Sequence, residues 1–364
     1  MSRCRNSWEE RVRITFVSWE NPSGKLHGGG VRKKSLGQIL ESLGHEVCFY
    51  DIPQRRTGER ATGATARLGE FKRHFFPLPF SAPRGTTLPD RLQDQARDSD
   101  LVISALPFIS RELSRMSHVR VWTDFWDSWY RMAKLEASYR SGLARQTSLA
   151  QARALARVHR EVAHASVATT YAGYGDYADF QGDSDASWLP TAVMTTPRSG
   201  TRSVRKLRGA TAGFIANFHY WPNQDAATVL TKSWLPRLRS MGVSVVVAGF
   251  GCTDLSWPAD VTVLGEVEDL ADFYGAIDVS LVPVRRGGGV KVKAIESLLW
   301  GVPAIVDDHV VDGFSPEIAS LLLRWPLIEE GSSLTADAHN DSLRVFQPEH
   351  QATTVAGIIE RLAR

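Results

Sequence analysis

Cysteine is scarce in this chain: Cys4, Cys48 and Cys252 are the whole complement of 364 residues. An odd set without metal-ligand spacing argues against a disulfide framework and against a cysteine zinc site. Excess charge is scarce too, because 43 basic against 40 acidic residues leave a net +3, so composition points to no nucleic-acid partner. No stretch approaches the roughly 18 to 20 apolar residues of a membrane span, although a peripheral membrane contact through basic and aromatic surface residues stays open. The N-terminus lacks a basic start followed by an apolar run and a small-residue cleavage site, so a cytoplasmic location is expected.

What is present is ordinary globular material, 43% hydrophobic and 23% charged, in a chain long enough for two cores. Residues 12–19 read as a buried strand; Gly28, Gly29 and Gly30 form a loop before a helix over 31–43, and 45–50 is a second strand. This is a Rossmann-type opening, but the glycine run lacks the third glycine of a dinucleotide fingerprint. Either it faces a diphosphate or it makes a flexible turn. Residues 53–98, rich in Arg, Pro, Gly and Thr with an aromatic island at 75–80, read as a mobile insertion where acceptor choice would reside.

Strands follow at 101–106 and 119–123, which leaves Asp124, Trp126, Asp127 and Trp129 just past a strand end, where open parallel sheets bind ligands. A helical region over 130–163 and a strand at 166–170 complete a first domain of residues 1–190. Residues 191–208 look like a polar linker. In 209–345 strands at 211–215, 243–248, 261–264, 279–284 and 304–306 alternate with helices, giving a second parallel sheet. Residues 346–364 hold a helix expected to pack back on the first domain. The fold class is α/β.

The chemistry concentrates in residues 278–303. Gly287, Gly288 and Gly289 lack a Cβ, so their amides can approach a ligand closely, and with Val290 they lead into a helix start that favours anions. Arg285, Arg286, Lys291 and Lys293 crowd positive charge there, which suits a diphosphate. Lys293 and Glu296 share one helical stripe, and a carboxylate in that place can accept hydrogen bonds from vicinal ribose hydroxyls. An isolated Lys-x-x-Glu is usually an exposed helix pair; the glycines and arginines just upstream shift the balance toward a ligand site.

These residues resemble the group 1 glycosyltransferases, whose C-terminal half reads Gly-x-Gly-x-x-x-Lys-x-x-Glu and then Gly-x-Pro. Here Gly287 to Glu296 is followed by Gly301, Val302 and Pro303. The resemblance extends over roughly 213–314, including Pro222, Asn223 and Asp225. It implies a GT-B fold, two facing Rossmann-like domains with the ligand cleft between them, and a retaining transfer that needs neither metal nor cofactor. The partners implied are a nucleotide-sugar donor and a small-molecule or glycan acceptor.

The resemblance also implies Glu296 as the ribose carboxylate, and Lys293 with Gly287 to Gly289 as the diphosphate site. Gly213 and Asn217 would lie near phosphate or sugar, and the base near Gly249 and residues 263–267. Lys293 and Arg286 would assist departure of the diphosphate. Two departures stand out. Gly288 occupies the place of a second glutamate found in many relatives, and Trp126 the place of a histidine, so base duties would fall to Asp124 or Asp127, which are equally readable as helix caps. Trp126, Trp129, Trp221 and His219 are acceptor-side candidates. The rival readings are a sugar-nucleotide epimerase of the same architecture and a non-catalytic binding protein.

Overall fold

The structure, a computed structural model, describes residues 11–19, 28–53, 87–182, 185–194, 201–204, 206–329 and 332–363. The core of the expected insertion, with its aromatic island, and residues 195–200 of the expected linker lie outside the described residues. The chain divides into two compact units, one of Met1–Pro190 with Glu349–Arg364 and the other of Thr191–Pro348.

In the first unit β1 (Arg13–Trp19), β2 (Glu46–Ile52), β3 (Leu101–Ser104), β4 (Val121–Phe125), β5 (Ala168–Tyr171) and β6 (Ala186–Trp188) form one sheet ordered β2-β1-β3-β4-β5-β6. Every pairing is parallel, so each connection must cross the sheet. Among the crossing helices are α1 (Gly28–Ser42), α2 (Asp90–Arg97), α3 (Pro107–Leu113), α4 (Trp129–Ser138), α5 (Gly142–Ala165) and α6 (Tyr174–Phe180). β3 and β4 are buried at every position, as helices on both faces of a sheet require.

Four local expectations are corrected here. Gly28, Gly29 and Gly30 make the first turn of α1 rather than a loop before it. α2 forms at the end of the segment read as unstructured, because Leu92 and Ala96, one helical turn apart, both bury. The long helix is broken between α4 and α5, where Gly142 takes φ 54°. β4 runs on to Phe125, which draws Asp124 into the sheet.

The second unit contains β7 (Thr201–Val204), which pairs antiparallel with β14 (Leu334–Asp337). Part of the segment read as a linker is therefore strand. Its main sheet comprises β8 (Thr211–Ile215), β9 (Ser244–Ala248), β10 (Val261–Gly265), β11 (Val279–Val282), β12 (Ala304–Val306) and β13 (Leu323–Arg324). The order is β10-β9-β8-β11-β12-β13, all parallel. Strand order reverses between β8 and β11, and ligands of such sheets bind beyond the strand ends at that switch point.

Around the second sheet lie α7 (Trp221–Val229), α8 (Leu235–Ser240), α9 (Leu270–Ala276), α10 (Val292–Leu299), α11 (Asp308–Val311) and α12 (Pro316–Ala319). The last helix, α13 (Pro348–Ala363), belongs almost wholly to the first unit. It buries Val355, Ile358 and Ile359, and its Gln351 side chain donates to the Pro190 carbonyl at 2.6 Å.

Candidate functional site

The loop from β11 to α10 sits at the switch point of the second sheet. Gly287 and Gly289 take φ of 93° and 61°, a region that a Cβ makes costly. A Cβ on Gly287 would stand 3.7 Å from Pro222, so the loop lies against the first turn of α7. His309 of α11 holds the Gly287 carbonyl at 2.7 Å through Nε2, which therefore carries the proton. Lys291 Nζ donates to the Gly288 and Gly289 carbonyls at 2.5 and 3.4 Å. Gly288 and Val290 are half-buried in the same loop.

Lys293 and Glu296 follow on the first turns of α10. Lys293 Nζ donates to Asn223 Oδ1 at 2.9 Å and lies 5.1 Å over the Phe214 ring. Burial draws its ammonium down to about 7, against the pull of Glu296 and with a push from Lys291. Glu296 is raised to about 7 by burial, while a hydrogen bond from Tyr274 and the Lys293 charge restrain the rise. A recessed cation and a recessed carboxylate one turn apart give the helix two differently charged contact points. Each loses solvation that a matching ligand group restores.

The arginines stand differently from expectation. Arg285 makes a fork on Asp225 at 3.1 and 3.4 Å, and Arg286 Nε lies 3.7 Å from the same carboxylate. Asp225 thus gathers both guanidinium groups beside the glycine loop. Asn217 accepts from the His219 amide at 3.0 Å, and its carbonyl accepts from Asn223 Nδ2 at 2.8 Å. Asn223 therefore ties the loop after β8 to Lys293.

Gly213 is no turn. It lies inside β8, and a Cβ there would stand 2.7 Å from both Phe273 and Ile277, so its smallness serves helix-on-sheet packing. Gly249 takes φ 113°, and a Cβ on it would come within 2.2 Å of the Ala216 carbonyl, which locks the ends of β8 and β9 together. Exposed His219 pairs with Asp254 at 2.9 Å, and Trp221 is exposed at the start of α7.

In the first unit Asp124 is fully buried and accepts from four groups. Arg32 Nε and Nη2 reach it at 2.9 and 2.5 Å, Trp126 Nε1 at 2.7 Å and the Thr170 hydroxyl at 2.6 Å. With its acceptor sites occupied, Asp124 is a hub of the fold and not a base open to substrate, and Trp126 spends its polar edge on that hub. Neither acid caps the next helix: Ser128 does, accepting from the Arg131 amide at 3.3 Å.

Asp127, half-buried, lines a small cavity with Phe108, Trp129, Tyr130 and His159. Trp129 packs on Phe108 with ring centres 5.0 Å apart. His159 is sandwiched 3.8 Å from both Phe125 and Phe180 and hydrogen-bonds the Tyr171 hydroxyl at 2.9 Å. Burial, reinforced by Arg160, lowers it to about 3 and keeps it neutral.

Reading the sequence did not single out the roles of Arg32, Tyr274, Asn223, Asp225 and His309. Asn223 and Asp225 stood in the quoted motif, and that was the available signal. The others act through contacts distant in sequence. Among the described residues no group of three His, Cys, Asp or Glu side chains could hold a metal ion, and no helix is long and apolar enough to cross a membrane.

Residues 209–322 match the family model of the glycosyl transferases group 1. No curated protein matches the chain in sequence. Among solved structures it is similar to a sucrose-phosphate synthase from Thermosynechococcus elongatus, 13% identical with TM-score 0.61, covering 97% of this chain and 99% of that one. It is similar to the catalytic domain of starch synthase IV from Arabidopsis thaliana, 10% identical with TM-score 0.53 over 98% and 100%. It also resembles Anabaena HepE, 12% identical with TM-score 0.51 over 96% and 99%. The two parallel-sheet units of the chain have the GT-B fold, and the second of them carries the match to the glycosyl transferases group 1 model.

Proposed function

We propose that the chain transfers a hexosyl group from a nucleoside-diphosphate sugar to a hydroxyl of a small-molecule or glycan acceptor, with retention of configuration. The observation that carries this reading is the placement of Lys293, Glu296 and the glycine loop together at the switch point of the second sheet. Lys293 meets the diphosphate, the amides of Gly287 to Gly289 cradle it, and Glu296 accepts from the ribose hydroxyls. Two of the similar structures were determined with such ligands, HepE with UDP and glucose and starch synthase IV with ADP and acarbose.

In the transfer the bond from anomeric carbon to diphosphate oxygen breaks, and one to the acceptor oxygen forms on the same face. The acceptor proton leaves with the diphosphate. Lys293 and Arg286 meet the charge that develops on the leaving group, so neither a metal nor a cofactor is required. On the acceptor side Asp127 stays the candidate base and Trp129 a candidate for stacking on a sugar ring; both line the same small cavity of the first unit.

The test is a thermal-shift screen of nucleoside diphosphates and their sugars, followed by turnover of the stabilising donor. Glu296→Ala and Lys293→Ala should each lower turnover by about a hundredfold or more while the fold survives. Undiminished rates in both variants would sink the assignment, and isomerised donor without acceptor would mark an epimerase instead.

A further inference from the structure

Tyr274 is fully buried, and its hydroxyl touches the proposed ribose carboxylate. Its phenol oxygen lies 3.2 Å from Glu296 Oε2 and 3.3 Å from the Lys293 carbonyl. The ring is fixed on two sides, edge-on to Phe273 at 5.2 Å and stacked on Trp300 at 6.0 Å. Trp300 closes the same helix that carries Glu296, so the ring and the carboxylate share one rigid frame.

Glu296 has three side-chain torsions to freeze before it can receive a pair of hydroxyls. A donor already fixed by packing holds one carboxylate oxygen and leaves the remaining lone pairs for a ligand. Burial and the Glu296 charge raise the phenol well above its ordinary range, so it stays a donor at every working pH. The Lys293 main-chain carbonyl competes for the same phenol proton at 3.3 Å, so the hold on Glu296 is firmest when its carboxylate is ionised.

We propose that Tyr274 is a positioning residue for nucleotide recognition: through Glu296 it sets the discrimination between ribose and 2′-deoxyribose in the bound nucleoside diphosphate. The proposal rests on the donor-site reading of Glu296 given above. A purely structural tyrosine would support ribo and deoxy ligands alike, and this difference makes the two roles separable.

The experiment measures dissociation constants of UDP, ADP, GDP and CDP and of their 2′-deoxy forms for the wild-type protein, Tyr274→Phe and Glu296→Gln, with thermal unfolding as a check on folding. Wild type is expected to favour the ribonucleotide by about tenfold. In Tyr274→Phe that preference should fall to about twofold, toward the value of Glu296→Gln, while deoxynucleotide affinity changes little. Equal weakening of both forms in Tyr274→Phe overturns the positioning role, as does a preference that stays intact there while Glu296→Gln abolishes it. A wild-type protein that binds none of these ligands, or does not distinguish ribose, overturns the Glu296 reading itself. Where Tyr274→Phe does not fold, Tyr274→Met, which also lacks the donor but has a flexible side chain to fill the space, is measured in the same way: loss of the preference with retained deoxynucleotide binding supports the proposal, and an intact preference opposes it.

Discussion

Asn223 and Lys293 are 70 residues apart in sequence, yet the amide oxygen of one accepts from the ammonium of the other at 2.9 Å. The partner is neutral, so the charge of the protonated Lys293 is left for a ligand. Asn223→Asp would neutralise that charge and set a carboxylate beside the diphosphate. Nucleotide affinity should then fall by about tenfold or more, whereas Asn223→Ala should cost about three- to tenfold. Titration calorimetry measures both, and an Asn223→Asp protein that binds as well as wild type would remove Lys293 from the phosphate site.

Proton uptake should accompany nucleotide binding above about pH 8. Burial lowers Lys293 to about 7 in the free protein, so above that value it is mostly neutral. A bound diphosphate raises its pKa, and a proton must enter. Glu296, raised to about 7, is already ionised there and contributes nothing. Binding enthalpy at about pH 8.5 should therefore vary with the ionisation enthalpy of the buffer, and that dependence should vanish in Lys293→Ala.

The Arg32 and Asp124 pair predicts a stability effect where the sequence suggested a catalytic one. Both side chains are buried, 3% and 0% exposed, and removing one partner strands the other. Arg32→Met should destabilise the first unit by about 3–5 kcal/mol, and Asp124→Asn by a comparable amount since it also disturbs Trp126 and Thr170. Urea unfolding followed by tryptophan fluorescence reads this directly. Loss of transfer in Asp124→Asn at unchanged stability would restore a chemical role for that residue.

Two glycines with positive φ should respond differently to alanine. Gly249 has the Ala216 carbonyl 2.2 Å from its missing Cβ, whereas Gly265, at φ 80°, has open space there. Gly249→Ala is expected to cost about 3 kcal/mol or more, and Gly265→Ala about 1 kcal/mol. Equal costs would show that the ends of β8 and β9 are not held as tightly as the geometry requires.

Much of the second unit was legible because its signals are local. The run from β11 through the glycine loop to α10 encodes an apolar strand, residues able to take positive φ, and an apolar helical stripe, each within a few positions. The site's partners were not legible in that way. Asp225 lies 60 residues from Arg285 and Arg32 lies 92 from Asp124, and no periodicity reports which distant side chains meet. The end of β4 matters most: it lies at Phe125 and not at Thr123. Two more residues of strand turn an expected loop acid into a buried hub, and nothing local in the sequence pairs it with Arg32, which follows the Gly28 to Gly30 run.

The contact between Gln351 and the Pro190 carbonyl has a use in protein engineering. It brings together the two points where the first unit is interrupted, so the second unit occupies the position of a guest inserted into a host. Joining Pro190 to Glu349 through a short flexible peptide would close the host into one continuous chain and release residues 191–348 as a separate polypeptide. A cut that simply discards everything after Pro190 would instead take α13 away from the host, along with the apolar residues that it buries.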